Sequence, residues 1–336
     1  MSEALAANAL SKQAEGWSAG IASPRRWLAR ALLRAASVIV CVVTAVFFLI
    51  RLVPGDPVKM ILGEYATPEA IESMRRKLGL DLPLGEQFVR FLRNIVVHGD
   101  TGSSIIYETS SRDLILDRAP VTLLLVGMAC LLAILLALLL AILAATHKDG
   151  PLDHLIRILP AVTLGMPVFW VGLLLIMIFG VQLRWFPVGG AGEGGLDRIY
   201  SLTLPAITVA FSQIPSLVRS LRAQMLEVLE SDFVVTLKAA GIPGRVILVK
   251  HVLRNSALPA LMLLGVNVAY LIGGTLVVEQ AFGLKGIGSL LFSAISNRDF
   301  PVIQGIALYC AFFVVVIGLL VEIASGYLDP RTKGEP

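Results

Sequence analysis

From Ala119 to Thr146 the chain carries no charged side chain. A helix needs about 20 mainly apolar residues to cross a hydrocarbon core ~30 Å thick, and this run is longer than that. A soluble domain cannot hide such a segment, so the chain folds around a bilayer. Composition agrees: the chain is 56% hydrophobic and 15% charged, with mean hydropathy +0.81. Soluble domains sit at roughly 45–50% apolar and 25% charged. In lipid the backbone must satisfy its own polar groups, and runs of this length do so as helices. The expectation is an all-α polytopic membrane protein.

Five further runs read as spans: Ala35 to Ile50, bounded by Arg34 and Arg51, then Ile158 to Leu183, Ile199 to Val218, Asn255 to Val278 and Phe300 to Val321. The count is six transmembrane helices. Cations set the orientation. Arg25, Arg26, Arg30 and Arg34 precede the first span, Lys148 and Arg157 flank one short loop, and Arg331 and Lys333 close the tail. The loop before Asn255 adds Arg219, Arg222, Lys238, Arg245, Lys250 and Arg254. With six spans all of these fall on one side, so both termini are cytoplasmic. The net charge of +4 needs no nucleic acid, because basic loops facing an anionic leaflet account for it.

The organisation expected is a cytosolic N-terminal tail (1–30), a first span (31–53), an external segment (54–118), a five-span core (119–328) and a cytosolic C-terminal tail (329–336). The external segment reads as a small helical cap between helices 1 and 2. Thr67-Pro68-Glu69 supplies an N-cap, a proline at the first helical position and a first-turn acid. Ile71, Met74 and Leu78 then share a face, and Gly79 ends that helix. Leu84, Phe88, Phe91, Leu92 and Ile95 repeat the spacing. Arg51-Leu52-Val53-Pro54-Gly55-Asp56-Pro57 forces a turn where the first span ends. Pro54, Gly55, Asp56 and Pro57 are therefore candidates for an external turn or gate, with Asp56 either an Asx-turn acceptor or a ligand contact.

The polar segment from Ser231 to Pro259 sits within the cytosolic loop 219–255 and reads as two short helices. Ser231 or Asp232 can cap the first, which ends at Gly241, where a backbone with φ > 0 costs least. Pro243 can open the second. Val246, Ile247 and Leu253 give that second helix an apolar stripe, and small Ala239, Ala240 and Gly241 leave room for another surface to approach. A short helix of this kind either docks in a partner's groove or rests on the lipid headgroups. Pro160, Gly165, Pro167, Pro205, Pro215, Pro259 and Gly273-Gly274 punctuate spans three to five. They are ordinary kinks or breaks that line a water-filled path.

Several chemistries find no residues. Arg51, Arg157, Glu279 and Glu322 read as span-end groups that snorkel or pair at the interface, leaving no midplane charge for a proton-driven carrier. His98, His147, His154 and His251 do not cluster, and Cys41, Cys130 and Cys310 lie far apart inside apolar runs. There is no GxxxxGK[ST] loop, Gly-x-Ser-x-Gly or His-Glu-x-x-His. The chain is expected to bind no cofactor or metal and to catalyse nothing itself.

Ordered motifs along Ala31 to Lys333 resemble a permease subunit of the dipeptide/oligopeptide/nickel family of ABC importers, of the type encoded first of two. They are Arg-Leu-Val-Pro-Gly-Asp-Pro (51–57), His-Gly-Asp-Thr-Gly-Ser-Ser (98–104), Arg-Ala-Pro-Val-Thr-Leu (118–123) and Arg-Trp-Phe-Pro-Val-Gly-Gly (184–190). Lys-Ala-Ala-Gly (238–241), Phe-Gly-Leu-Lys-Gly-Ile-Gly (282–288) and Arg-Asp-Phe-Pro-Val-Ile-Gln-Gly (298–305) follow. The resemblance implies a bacterial inner-membrane importer. It implies a second homologous permease as heterodimer partner, two cytosolic ATPases holding ATP and Mg, and a periplasmic or lipid-anchored solute-binding protein. The stretch Lys238, Ala239, Ala240, Gly241, Ile242, Pro243, Gly244 and Arg245 would be its ATPase-coupling loop. The family's wider signature Glu-Ala-Ala-x-x-x-Gly would place a glutamate at 235, where this chain has Val235. The alternatives are a self-sufficient secondary carrier and a membrane-embedded enzyme.

Overall fold

A computed structural model describes residues 24–52, 58, 62, 66–77 and 79–328. The described chain is helical, with a single isolated β-bridge between Ser103 and Ser110. The helices are α1 (Pro24–Leu52), α2 (Pro68–Lys77), α3 (Leu84–His98), α4 (Ser111–Thr146), α5 (Pro151–Leu164) and α6 (Val168–Leu175). There follow α7 (Gly195–Ser201), α8 (Thr203–Leu229), α9 (Asp232–Ala239), α10 (Leu253–Ala281), α11 (Ile287–Ser296) and α12 (Phe300–Leu328).

The core is the seam between α4 and α8. Ala129, Ala133, Ala137, Ala141 and Ala144 on α4 are buried, and their spacing puts them on one face. Facing them are Leu204, Ala206, Val209, Ala210, Leu217 and Leu221 of α8. Lipid tails are as apolar as leucine, so membrane helices associate through close packing, and small residues allow it. The helix α8 also packs on α10, and α12 packs on α1 and α10.

Three helices are each long and apolar enough to cross a membrane: α1 over Ala31–Phe48, α4, and α12 over Phe300–Ala324. The pair α7–α8, bent by 47°, makes a fourth. The run expected as the third span is broken. The helix α5 ends at Leu164, and Pro167, lacking an N–H, precedes α6, which continues as a π-helical stretch Ile176–Gln182. Thr163 Oγ1 donates to the carbonyls of Leu159 (2.9 Å) and Pro160 (3.2 Å), and Met166 N to Thr163 O, so the break stays satisfied.

The cap sits on α1 through rings. Phe47 lies 5.0 Å from Phe88 and 5.4 Å from Phe91 by centroid, and Arg51 stacks on Phe47 while donating to Gln87 Oε1 at 2.7 Å. Thr67 Oγ1 caps α2 through the Ala70 N–H, and Gly79 has φ +66, as expected. Leu84, expected on the apolar face of α3, is exposed. The candidates Pro54, Gly55, Asp56 and Pro57 lie outside the described residues.

Candidate functional site

The segment expected to be cytosolic is shorter than its charges suggest. The helix α8 runs on through Arg219 and Arg222 to Leu229, so only 230–243, which holds α9, separates it from the helical turn that opens at Gly244. The second helix of the loop is not a separate element either. Gly244–Val246, a π-helical stretch Ile247–Val252 and α10 run on continuously. Of the stripe Val246, Ile247 and Leu253, Ile247 is buried in the core and Leu253 packs against it, while Val246 is exposed.

The helix α9 divides cleanly by face. Val234 is buried and Leu237 packs on the core, while Phe233, Val235, Thr236, Ala239 and Ala240 are exposed. Ser231 stands at the N-cap, but its hydroxyl turns back to Val228 O at 2.5 Å and makes no cap bond. At the other end Gly241 N donates to Lys238 O (3.0 Å) and Ile242 N to Leu237 O (3.1 Å), with Gly241 at φ +77. Bonds of this pattern close a helix with a left-handed residue, and glycine takes it without strain. Ile242 returns to the core. Lys238, Ala239, Ala240, Gly241, Pro243, Gly244 and Arg245 are all exposed, so the eight candidates form one surface with a single inward anchor.

Two ion pairs lie near this surface. Arg222 donates from Nε to Asp153 Oδ1 and from Nη2 to Asp153 Oδ2, both at 2.6 Å, tying α8 to the first turn of α5. Lys148 reaches Glu230 at 2.5 Å. Beside α9 a surface pocket of about 460 Å³ is lined by Thr146, Lys148, Leu226, Glu230, Lys238 and Arg245.

On the opposite end of α4 the sequence reading needs a correction. Glu279 is not a snorkelling span-end group. It is fully buried. Thr122 donates to its Oε1 at 2.6 Å and Ser289 N to its Oε2 at 3.1 Å. Ile287 N donates to Thr122 Oγ1 at 2.8 Å. Glu279 and Thr122 together thus satisfy N–H groups in the first turn of α11, the orphan donors of any helix start. Gly286 belongs there because a Cβ would lie 2.4 Å from Glu279 Oε2. At the other end of α11, buried Asp299 accepts from Ser104 Oγ and from Ile105 N at 3.3 Å. Thr101 Oγ1 donates to Pro301 O at 2.7 Å. The motifs 98–104 and 298–305, far apart in sequence, are therefore one joint. So are 184–190 and 282–288, joined by Gly190 N to Phe282 O at 2.9 Å.

Residues 137–334 match the model of the binding-protein-dependent transport system inner membrane component, and residues 25–126 match the N-terminal model of the same transport-system membrane component. The chain belongs to this family. It is a transport subunit of a bacterial inner membrane. A peptide transport system permease protein of Brucella abortus is 36% identical over 303 residues, 89% of this chain and 96% of the relative. The oligopeptide permease AppB of Bacillus subtilis is 35% identical over 293 residues, covering 85% and 92%. The di/tripeptide permease DppB of Pseudomonas aeruginosa is 35% identical over 312 residues, covering 85% and 92%. Among solved structures, an amino acid ABC transporter aligns with TM-score 0.49 and 15% identity, covering 64% of this chain and 94% of that one. Nothing in the relatives or the fold favours the secondary carrier.

Proposed function

We propose that this permease carries peptides, of dipeptide to oligopeptide length, and forms half of a path completed by a second homologous permease. The relatives' peptide names support the solute class. Two cytosolic ATPases supply the energy and an external binding protein delivers the solute. The topology proposed is six spans with both termini cytosolic. In it α5 and α6 together make the third span, α10 makes the fifth, and the cap lies outside. The Pro54–Pro57 turn remains a proposed external gate element.

The observation that carries the coupling role is the split of α9. Val234 and Leu237 bind it to the core while Phe233 and Val235 stay uncovered. Exposed apolar side chains on a short helix anchored to a rigid bundle form the surface that a groove in a soluble partner covers. A force applied to α9 passes through Ile242 and Ile247 into α10 and through Leu229 into α8. Rigid-body rocking of these helices would then switch the path between its two openings. The test is uptake by the complete complex in proteoliposomes, with the binding protein outside and a mixture of di-, tri- and longer peptides as probe. ATP-dependent accumulation of peptides supports the reading. Accumulation driven by a proton gradient without ATP contradicts it.

A further inference from the structure

The long helices differ in what they expose. Exposed apolar surface is plain on α1, α4 and α12, which show Leu33 and Val40, Leu131 and Leu139, and Phe312 and Leu320. The helix α8 has no exposed large apolar side chain at all. Its open face is instead Ser212, Ser216, Arg219, Ala223 and Glu227, spaced one helical turn apart, all exposed except half-buried Ser216. Ser212 sits about 10 Å along the axis from Arg219 at 1.5 Å per residue, inside the apolar part of the helix. Uncharged polar groups at that depth face a partner or water, not lipid.

A second helix completes the strip. Asn267 lies midway between Leu253 and Ala281 on α10, and its Nδ2 donates to Ser216 Oγ at 3.3 Å. Gln213 Nε2 donates to Ser212 Oγ at 3.1 Å. Two turns from Asn267, Gly274 is exposed, and a Cβ built there meets nothing within 4 Å. Packing on this chain therefore does not require that glycine. A clear lane does.

We infer that Ser212, Gln213, Ser216 and Asn267 line the translocation path and bind the solute's backbone amides there. The inference rests on the peptide reading for its solute and on the exposed faces of α8 and α10 for its place. Each of these groups can both donate and accept except where the strip already uses it. That matches a peptide, whose repeating N–H and C=O groups are the same whatever its side chains. The absence of a charge between Ser212 and Ser216 avoids a trap: a fixed ion would hold one class of peptide and release it slowly.

The experiment uses the complete complex in proteoliposomes, with Cys41, Cys130 and Cys310 replaced by serine. Single cysteines are placed at Ser216 and Gly274 on the strip and at Leu131 and Leu139 on the lipid face. The probe is a trimethylammonium methanethiosulfonate. Ser216→Cys and Gly274→Cys should react at least tenfold faster than Leu131→Cys, and their modification should stop uptake. Equal rates, or fast labelling that leaves uptake intact, overturns the path. In unlabelled complexes Asn267→Leu and Gln213→Leu should raise the KM for peptide uptake about fivefold while maximal ATP hydrolysis stays within twofold. An unchanged KM overturns the solute contact and leaves an interhelical role. The comparison of labelling rates needs no peptide, so a failure of the peptide reading shows separately, as absent peptide uptake with the rate difference intact.

Discussion

Arg222 and Asp153 meet through two parallel hydrogen bonds of 2.6 Å each, with the Asp153 side chain fully buried and that of Arg222 18% exposed. This pair fixes the first turn of α5 against the C-terminal end of α8. Removing one partner of a buried pair costs about 3–5 kcal/mol, because the other charge is left uncompensated. Arg222→Leu should therefore lower the melting temperature of the detergent-purified complex. Arg222→Met combined with Asp153→Leu should recover most of the loss. The Arg222 hydrogen bonds hold the Asp153 carboxyl below its ordinary pKa, against the opposing effect of burial, with help from the Asp149 N–H. A depressed folded pKa gives stability that is present above the unfolded value of about 3.9 and is lost as pH falls through the folded value. The pair's contribution should be flat from pH 5 to 8, and the Asp153→Asn variant should lack the acid loss below pH 4.

Glu279 and Gly286 make a second, independent prediction. Gly286→Ala places a methyl 2.4 Å from Glu279 Oε2, and Glu279→Ala strands the donors Thr122 Oγ1 and Ser289 N. An unsatisfied buried donor costs about 1–3 kcal/mol. Both variants should speed proteolysis of the complex near α11, measured by limited digestion. Digestion no faster than wild type would remove the clamp.

The alanine seam predicts a steric outcome. Ala137→Leu adds bulk where α4 meets α8, and overpacking costs about 1–3 kcal/mol per site. Ala133→Leu with Ala137→Leu should halve the yield of assembled complex or worse, measured by size-exclusion chromatography. Leu139→Ala on the exposed face should leave it unchanged.

Topology is tested by single cysteines in the background without native thiols. Ser103 and Leu196 are exposed, as is Gly244. Gly192 is a poorer site than Leu196, because it has φ +67 and a Cβ there falls 2.5 Å from Asp197. Ser103→Cys and Leu196→Cys should react with an impermeant reagent in intact cells, and Gly244→Cys only after permeabilisation. Labelling of all three from outside contradicts six spans with cytosolic termini.

What could be read in the sequence was local. Gly241 announces its positive φ because a short helix must end there, and Thr67-Pro68 announces a helix start. The alternation of long apolar runs and basic loops places the helices. What stayed hidden depends on partners distant along the chain. Asp153 looks like a solvated loop acid until Arg222 comes beside it. Glu279 looks like a span-end carboxylate until α11 folds back to offer its N–H groups. Gly286 and Gly288 were the available signal, since glycine is favoured where the backbone must approach another group closely. The polar face of α8 was diluted by its buried residues and became visible only when exposure separated the two.

The central claim is that the surface from Lys238 to Arg245 transmits ATP hydrolysis to the path. Gly241 has φ +77, a backbone that Asp tolerates better than most residues, so the main cost of Gly241→Asp or Ala240→Glu is the carboxylate itself, whose desolvation in a partner's groove costs several kcal/mol. The decisive measurement is ATP hydrolysis stimulated by peptide-loaded binding protein, alongside uptake, in proteoliposomes containing the complete complex with Gly241→Asp or Ala240→Glu. The account predicts that the complex still reaches the membrane and that both stimulated hydrolysis and uptake fall at least tenfold. Wild-type values of both in both variants would mean that α9 is only a surface helix and would contradict the account.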